Sequence, residues 1–380
     1  MGSATHDNNL EQRFINFSFQ QSGQQLTATL PSDPTVLVLG YYMLFAFNQA
    51  GVPSIAQVLF VDPTSAGPPT VAPIPPVAPV PPLTRKLGPP SLLWRNGRTG
   101  KVVIWLMNGS NVAQSAVIGT AGSNWKILGT GDFTGQGNSD VLLSNTITRE
   151  LAIWFVKGAS VTGRQDFFLH GVGGMVQGIG DLVGNGFADL IFRNSSNGNT
   201  WVLLNNGPPN FNVSWSGKVP PNWVIAGLAD TAGSGVPQLI WRNRDTGRII
   251  RWFFSNGVPT QAIDLGRVPP AWALKGFGDL DGNGSDDIIW QNSNTGAVII
   301  WYSSGAQFSA SAVLGKVAPR WSLSGTAYLN GNGPGQIIWR NTANGQVLAW
   351  NVNGSSVSAA LLPPHPDLTW ELQPTQPVNH

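Results

Sequence analysis

From residue 94 onward the chain repeats every 49 residues. Arg-Asn or a close variant recurs at Arg95-Asn96, Ser144-Asn145, Arg193-Asn194, Arg242-Asn243, Gln291-Asn292 and Arg340-Asn341. The residues preceding these pairs are Trp94, Leu143, Phe192, Trp241, Trp290 and Trp339. A second column reads Trp105, Trp154, Leu203, Trp252, Trp301 and Trp350; a third reads Trp125, Gly174, Trp223, Trp272, Trp321 and Trp370. Of the 16 Trp, 14 lie on this grid, so the aromatic content belongs to the repeat. Six registers without a gap demand one supersecondary unit copied six times.

Each unit reads as β-structure. In the fifth, Trp272 to Gly276, Asp287 to Trp290, Ala297 to Trp301 and Phe308 to Leu314 are runs rich in β-branched and aromatic residues. Asn292-Ser293-Asn294-Thr295-Gly296 is a turn, with Gly placed where positive φ is needed. Four short strands at a period of 40–50 residues are the pattern of a propeller blade. Six periods fill residues 87–380. The first opens in mid-blade at Leu92-Leu93-Trp94, and the last stops after Trp370-Glu371-Leu372, the strand the first lacks. The termini are therefore expected to share one blade and close the ring, leaving no open sheet edge. The fold class is all-β: a six-bladed propeller preceded by a partial β-sandwich.

The recurrent Trp pack between neighbouring blades or stack on sugar faces in the clefts. On the second reading the contact residues are Trp94, Arg95, Trp241, Arg242, Trp290, Gln291, Trp339 and Arg340. The Arg either bridges to the next loop or contacts a polar ligand, and Asn before a tight turn is a usual turn residue.

Between the first and second strand of each unit lies an acidic glycine loop. In unit five it reads Asp279-Leu280-Asp281-Gly282-Asn283-Gly284-Ser285-Asp286-Asp287. Oxygen ligands at loop positions 1, 3, 5 and 9 (Asp279, Asp281, Asn283, Asp287) suit Ca²⁺, a hard cation. The alternative is a turn held by its own hydrogen bonds. This spacing resembles the integrin-type FG-GAP, or VCBS, repeat over residues 87–380. That resemblance implies a secreted or cell-surface propeller, a group that includes fungal and bacterial lectins. The other loops depart from it. Asp132 to Asp140 and Asp181 to Asp189 lack the middle acid, Gln238 ends the fourth loop, and the sixth runs from Tyr328 to Gln336.

Ahead of the repeat, residues 1–62 contain no Trp and carry one Arg against four acids. Residues 63–86 form a Pro-rich spacer, including Pro73-Ile74-Pro75-Pro76 and Pro79-Val80-Pro81-Pro82, suited to a semi-rigid polyproline II linker. Gly2-Ser3-Ala4-Thr5-His6, Gln12-Arg13 and the run Pro34 to Ser54 resemble the C-terminal Ig-like domain of the galactose oxidase and glyoxal oxidase family. In that family the His that falls on His6 is a copper ligand. The remaining ligand set, including a Cys cross-linked to Tyr, has no counterpart in a chain without Cys. The resemblance therefore implies a relic copper ligand at His6 and no copper cofactor, with oxidase chemistry requiring a second chain. It also begins inside the family's domain. The half-sandwich is expected to pack on the propeller, pair with another copy or accept a partner's strand, the last two giving an oligomer or fibre.

Composition narrows the function classes. Charged residues make up 11% and the net charge is +2, which provides no basic stripe for nucleic acid. The longest apolar run, near Tyr41 to Phe47, is too short for a membrane span, and no signal peptide is present in the chain as given. The His are His6, His170, His365 and His380, with no pairing and no nucleophile or phosphate-loop motif. The expectation is a non-enzymatic extracellular binding protein, lectin-like, taking a glycan or surface polysaccharide at several quasi-equivalent sites, with calcium in one loop. The alternatives are an assembly protein that self-associates through residues 1–62, and a remnant of a copper-radical oxidase.

Overall fold

A computed structural model gives the fold. It describes six strands within residues 2–61, then residues 90–363 apart from 208, 306 and 332, then 368–373. The Pro-rich spacer, His365 and His380 lie outside the described residues. No helix occurs among those described, and so none long and apolar enough to cross a membrane. The chain divides into two units, Met1–Val80 and Pro81–His380.

In the second unit the repeat becomes six antiparallel four-stranded sheets. Blade I combines Trp370–Leu372 with Ser91–Asn96, Lys101–Asn108 and Asn111–Thr120. Blade II is Trp125–Gly131, Asp140–Asn145, Leu151–Lys157 and Ser160–Phe167. Blade III is Met175–Gly180, Asp189–Arg193, Asn199–Asn205 and Phe211–Lys218. Blade IV is Trp223–Ala229, Gln238–Asn243, Arg248–Ser255 and Val258–Arg267. Blade V is Trp272–Gly278, Asp287–Asn292, Ala297–Ser304 and Gln307–Lys316. Blade VI is Trp321–Ala327, Gln336–Asn341, Val347–Asn353 and Ser356–Leu362. The ring closes as the sequence predicts: Trp370, Glu371 and Leu372 pair with Asn96, Arg95 and Trp94.

First strands of successive blades touch one another around the axis, from blade II through blade VI. In blades II to VI each first strand carries a bulge ending at a glycine, for example between Ile225 and Gly227. A Cβ on Gly227 would lie 2.4 Å from Phe277 of the next blade. The glycine therefore sets how closely blades IV and V approach. Fourth strands alternate toward solvent, whereas second strands such as Asp140–Asn145 are buried through most of their length.

The core is not one mass. It consists of six apolar clusters, one between each pair of neighbouring blades. This is why the unit cannot stand alone: each sheet buries its faces only against its neighbours.

In the first unit, Gly2–His6, Ile15–Phe17, Gly40–Ala46 and Gln57–Val61 form one antiparallel sheet. Ile15–Phe17 and Gln57–Val61 are its edges. Phe19–Ser22 and Gln25–Ala28 make a separate hairpin. His6 lies opposite Tyr42 in the register.

Candidate functional site

Strand direction sorts the loops onto two faces of the propeller. The Asn turns and the connections between blades share one face. The Asp-Gly loops and the hairpins joining third to fourth strands share the other.

On the Asn face each turn is fixed by its Asn. The Asn292 side-chain oxygen accepts the N–H groups of Asn294 and Thr295 at 3.0 Å, and the Gly296 N–H reaches the Asn292 carbonyl at 2.9 Å. Gly296 has φ 70°. Blade II alone puts a side chain at that left-handed position, Arg149 with φ 66°.

The first Trp column lies inside. Trp94, Trp241, Trp290 and Trp339 are 0–1% exposed. Each meets the second-column Trp of its own blade with ring centroids 5.0–5.2 Å apart. A second strand covered on both faces puts its Trp in the core, where no sugar reaches the ring. This corrects the sugar-contact expectation for that column.

The Arg beside it is equally committed. Arg193 of blade III sits 4.8 Å over the Trp241 ring of blade IV, Arg242 is 5.5 Å over Trp290, and Arg340 is 5.5 Å over Trp94. Each thus clamps the following blade through its buried indole. Arg193 also donates to the carbonyls of Gly198, Val219, Pro220 and Trp223, at 2.6–3.2 Å, and to the Thr200 hydroxyl at 2.8 Å. Burial pulls its guanidinium down to about 10. Arg242 donates to Val268 and Pro269, and Arg95 to Ala121 and Gly122, in the connectors to the next blade. Gln291, which stands where blades I, III, IV and VI carry Arg and blade II carries Ser144, is half-buried.

The third column differs. Trp125, Trp223, Trp272, Trp321 and Trp370 open the first strands on the Asn face and are only partly buried. Each packs against a different inter-blade cluster: I/II, III/IV, IV/V, V/VI and VI/I respectively. The II/III groove has Gly174 at this position, followed by the exposed Met175. Sequence periodicity identifies this column without showing that it is the accessible one. The signal available was local, because Val-Pro-Pro-Asn-Trp223, Val-Pro-Pro-Ala-Trp272 and Val-Ala-Pro-Arg-Trp321 place the Trp directly after a proline connector.

On the opposite face the acidic loops are backbone staples first. Asp287 accepts from Leu280 N–H and Ser303 N–H, both at 2.9 Å, joining loop, second strand and third strand. Asp189 does the same with Leu182 and Asn205, and Asp140 with Phe133 and Val156. In blade VI the Gln336 side-chain oxygen takes over the first of these bonds, from Leu329 N–H, at 2.8 Å. In blade IV the Gln238 oxygen accepts from Ala232 N–H at 3.0 Å. Burial raises Asp140 to about 6, Asp189 to about 7 and Asp287 to about 8, against the pull of those N–H bonds. The charges of Asp281 and Asp279 add to the shift at Asp287.

Among the described residues, blade V alone concentrates three acids. Oxygens of Asp279, Asp281 and Asp287 lie within 4.8 Å of one another. Asp279 also accepts from Gly282 and Gly284 N–H, at 2.7 and 2.9 Å; these glycines have φ 81° and 88°. Asn283 is held differently. Its amide nitrogen donates to Ser303 O and to Asp281, and its amide oxygen accepts from Ser285 N–H. Hard carboxylate oxygens with lone pairs to spare fit a divalent cation of the calcium type.

Residues 1–61 match the galactose oxidase-like, early set domain. Over 61 residues the chain is 43% identical to galactose oxidases of Gibberella zeae, covering 16% of this chain and 9% of theirs. The chain thus spans less than a tenth of the length of these relatives. A functionally unknown protein from Desulfotomaculum acetoxidans is similar in structure at 11% identity and TM-score 0.41, over 73% of this chain and 80% of that one. A chain of the mitotic checkpoint complex is similar at 13% identity and TM-score 0.38, over 74% and 78%. Likenesses at this level say nothing of ligand or activity.

Proposed function

We propose that the protein is a non-enzymatic, extracellular carbohydrate-binding propeller whose ligand contacts are made on the Asn face. The observation that carries this reading is the column Trp125, Trp223, Trp272, Trp321 and Trp370: a partly buried indole at five of six inter-blade grooves, all on one face. A partly covered indole is a platform for the apolar C–H face of a sugar ring; the Trp125 ring already carries the Arg164 guanidinium, 5.1 Å from its centroid. Low charge density favours a neutral ligand, and repeated weak sites favour an extended glycan through avidity. Calcium at Asp279, Asp281 and Asp287 serves the blade V loop. It lies on the other face, so it stabilises the ring without touching the glycan.

A glycan array probed with the full chain, with and without EDTA, tests the reading. Binding to neutral glycans is expected in both conditions, with EDTA lowering the melting temperature only. An array without a hit refutes the lectin assignment.

A second reading rests on a different observation. The sheet of the first unit has two edge strands, Ile15–Phe17 and Gln57–Val61. Edge strands template pairing with another chain. On this reading the galactose oxidase-like segment links propellers into an oligomer or fibre. Light scattering at micromolar concentration tests it; a strict monomer removes it.

A further inference from the structure

A pocket opens beside the third strand of blade IV. It lies on the Asp-loop face between blades III and IV and has a volume of about 340 Å³. Leu182 and Gln238, both buried, belong to its lining, with Val183, Phe253 and Phe254 beside them. Ser255 and Asn256 stand at its rim. No residue of the lining is charged.

Blade IV departs from its siblings along this wall. Only there are two consecutive Phe found at the end of the third strand. The positions matching Phe253 hold Leu106, Phe155, Leu204, Tyr302 and Asn351, and those matching Phe254 hold Met107, Val156, Asn205, Ser303 and Val352. The facing loop of blade III has Val183 where blade V has Asp281. Arg251, buried in the same strand, lies 5.0 Å from the Phe253 ring centroid and donates to the Thr231 hydroxyl at 3.0 Å. Arg251 and Phe253 lie on the strand's other face, because Ile250, Trp252 and Phe254 are the ones that pack toward blade III. Pro237 is seated against Gly180, where a Cβ would come within 3.1 Å, so the two blades are locked at this junction.

The chemistry is that of a small neutral ligand. The Phe254 ring, on the strand face that packs toward blade III, accepts an apolar face. The Ser255 hydroxyl and the Asn256 amide make no hydrogen bond to protein among the described residues, leaving donors and acceptors at the mouth for hydroxyl groups. A pocket of this volume holds one ring rather than a chain of them. We propose that this pocket is a single site for a neutral monosaccharide unit, separate from the Trp column on the opposite face. The proposal rests on the carbohydrate-binding reading above.

The test uses the full chain titrated with the methyl glycosides of glucose, galactose, mannose and N-acetylglucosamine, read by saturation-transfer NMR and calorimetry. One of these is expected to bind the wild type with one site per chain and to show transfer from Phe protons. Ser255→Trp fills the mouth and is expected to abolish that binding. Asn256→Gly removes the amide at a position with φ 49°, which glycine adopts freely, so the fold is kept. It should weaken binding by roughly tenfold, as the loss of one good hydrogen bond does. Wild-type affinity in both variants, with melting curves showing them folded, overturns the proposal. So does a wild type that binds none of the four glycosides. If the glycan array is positive while the four fail, the pocket assignment falls and the Trp-column reading stands; a blank array removes that reading itself.

Discussion

Two tryptophan columns share one period and one residue type, yet they occupy opposite environments. Trp94, Trp241, Trp290 and Trp339 end the apolar run of a second strand and are buried. Trp125, Trp223, Trp272, Trp321 and Trp370 follow a connector, begin a first strand and are partly open. A repeat therefore fixes where a residue recurs without fixing what it does. Placement within the blade decides that. The first column packs inside the ring, and the third is only partly covered.

The largest effect is expected where that contrast is sharpest. Trp290→Ala removes a fully buried indole from the blade IV/V junction and should cost about 3–5 kcal/mol in a denaturant titration. A loss below about 1 kcal/mol would mean that the column is not structural. Next comes the clamp on the neighbouring column member. Arg193→Ala strips four carbonyls and the Trp241 face of their donor, an expected loss of about 2–4 kcal/mol. Arg193→Lys should recover little of it, because an ammonium cannot span that fork of acceptors.

A second contrast lies inside the Asp loops, where blades II, III and V use Asp and blades IV and VI use Gln for the same staple. Asp189→Asn keeps the size but turns an amide N–H₂ toward one of two backbone N–H donors, an expected loss of about 1–3 kcal/mol. The Gln blades avoid this by sending the amide nitrogen to the carbonyls of Val236 and Pro334. The pH dependence follows from the raised acids. Asp140 and Asp189 sit near 6 and 7 when folded, above the ordinary carboxylate value of 3.8. The folded state therefore holds more protons than the unfolded chain between those limits. Stability from these two groups is fully present below about 4 and is lost as the pH rises to about 7. Melting temperature should fall over that window in metal-free buffer, and Asp189→Asn should flatten the fall.

The smallest stability effect belongs to the open column. Trp272→Ala should cost about 1–2 kcal/mol, since only part of the indole is buried. Its effect should appear in ligand binding.

Much of this architecture can be read from the residues. The 49-residue spacing implies six blades, and the incomplete first and last periods imply the shared blade, because a missing strand at one end and a surplus at the other must pair. The acidic loop of blade V stands out in the sequence by its middle acid, Asp281. The burial of the first Trp column is harder to see, although uninterrupted runs such as Asp287-Ile288-Ile289-Trp290 already describe a strand covered on both faces. The bridge made by the Arg column is one of the two readings the residues offer; the choice between them was out of reach, because Val219, Pro220, Trp223 and the Trp241 ring that engage Arg193 come from elsewhere in the chain. The III/IV pocket was likewise hidden. Val183 and Phe254 are brought together only by the seating of one blade on the next.

The direct test replaces Trp125, Trp223, Trp272, Trp321 and Trp370 by Ala, singly and in combination, and measures binding of the strongest array glycan beside the melting temperature. Binding that weakens stepwise with each replacement, while the chain stays folded, is the predicted result. Undiminished binding with all five replaced in a folded chain would contradict the assignment of the open column to the ligand.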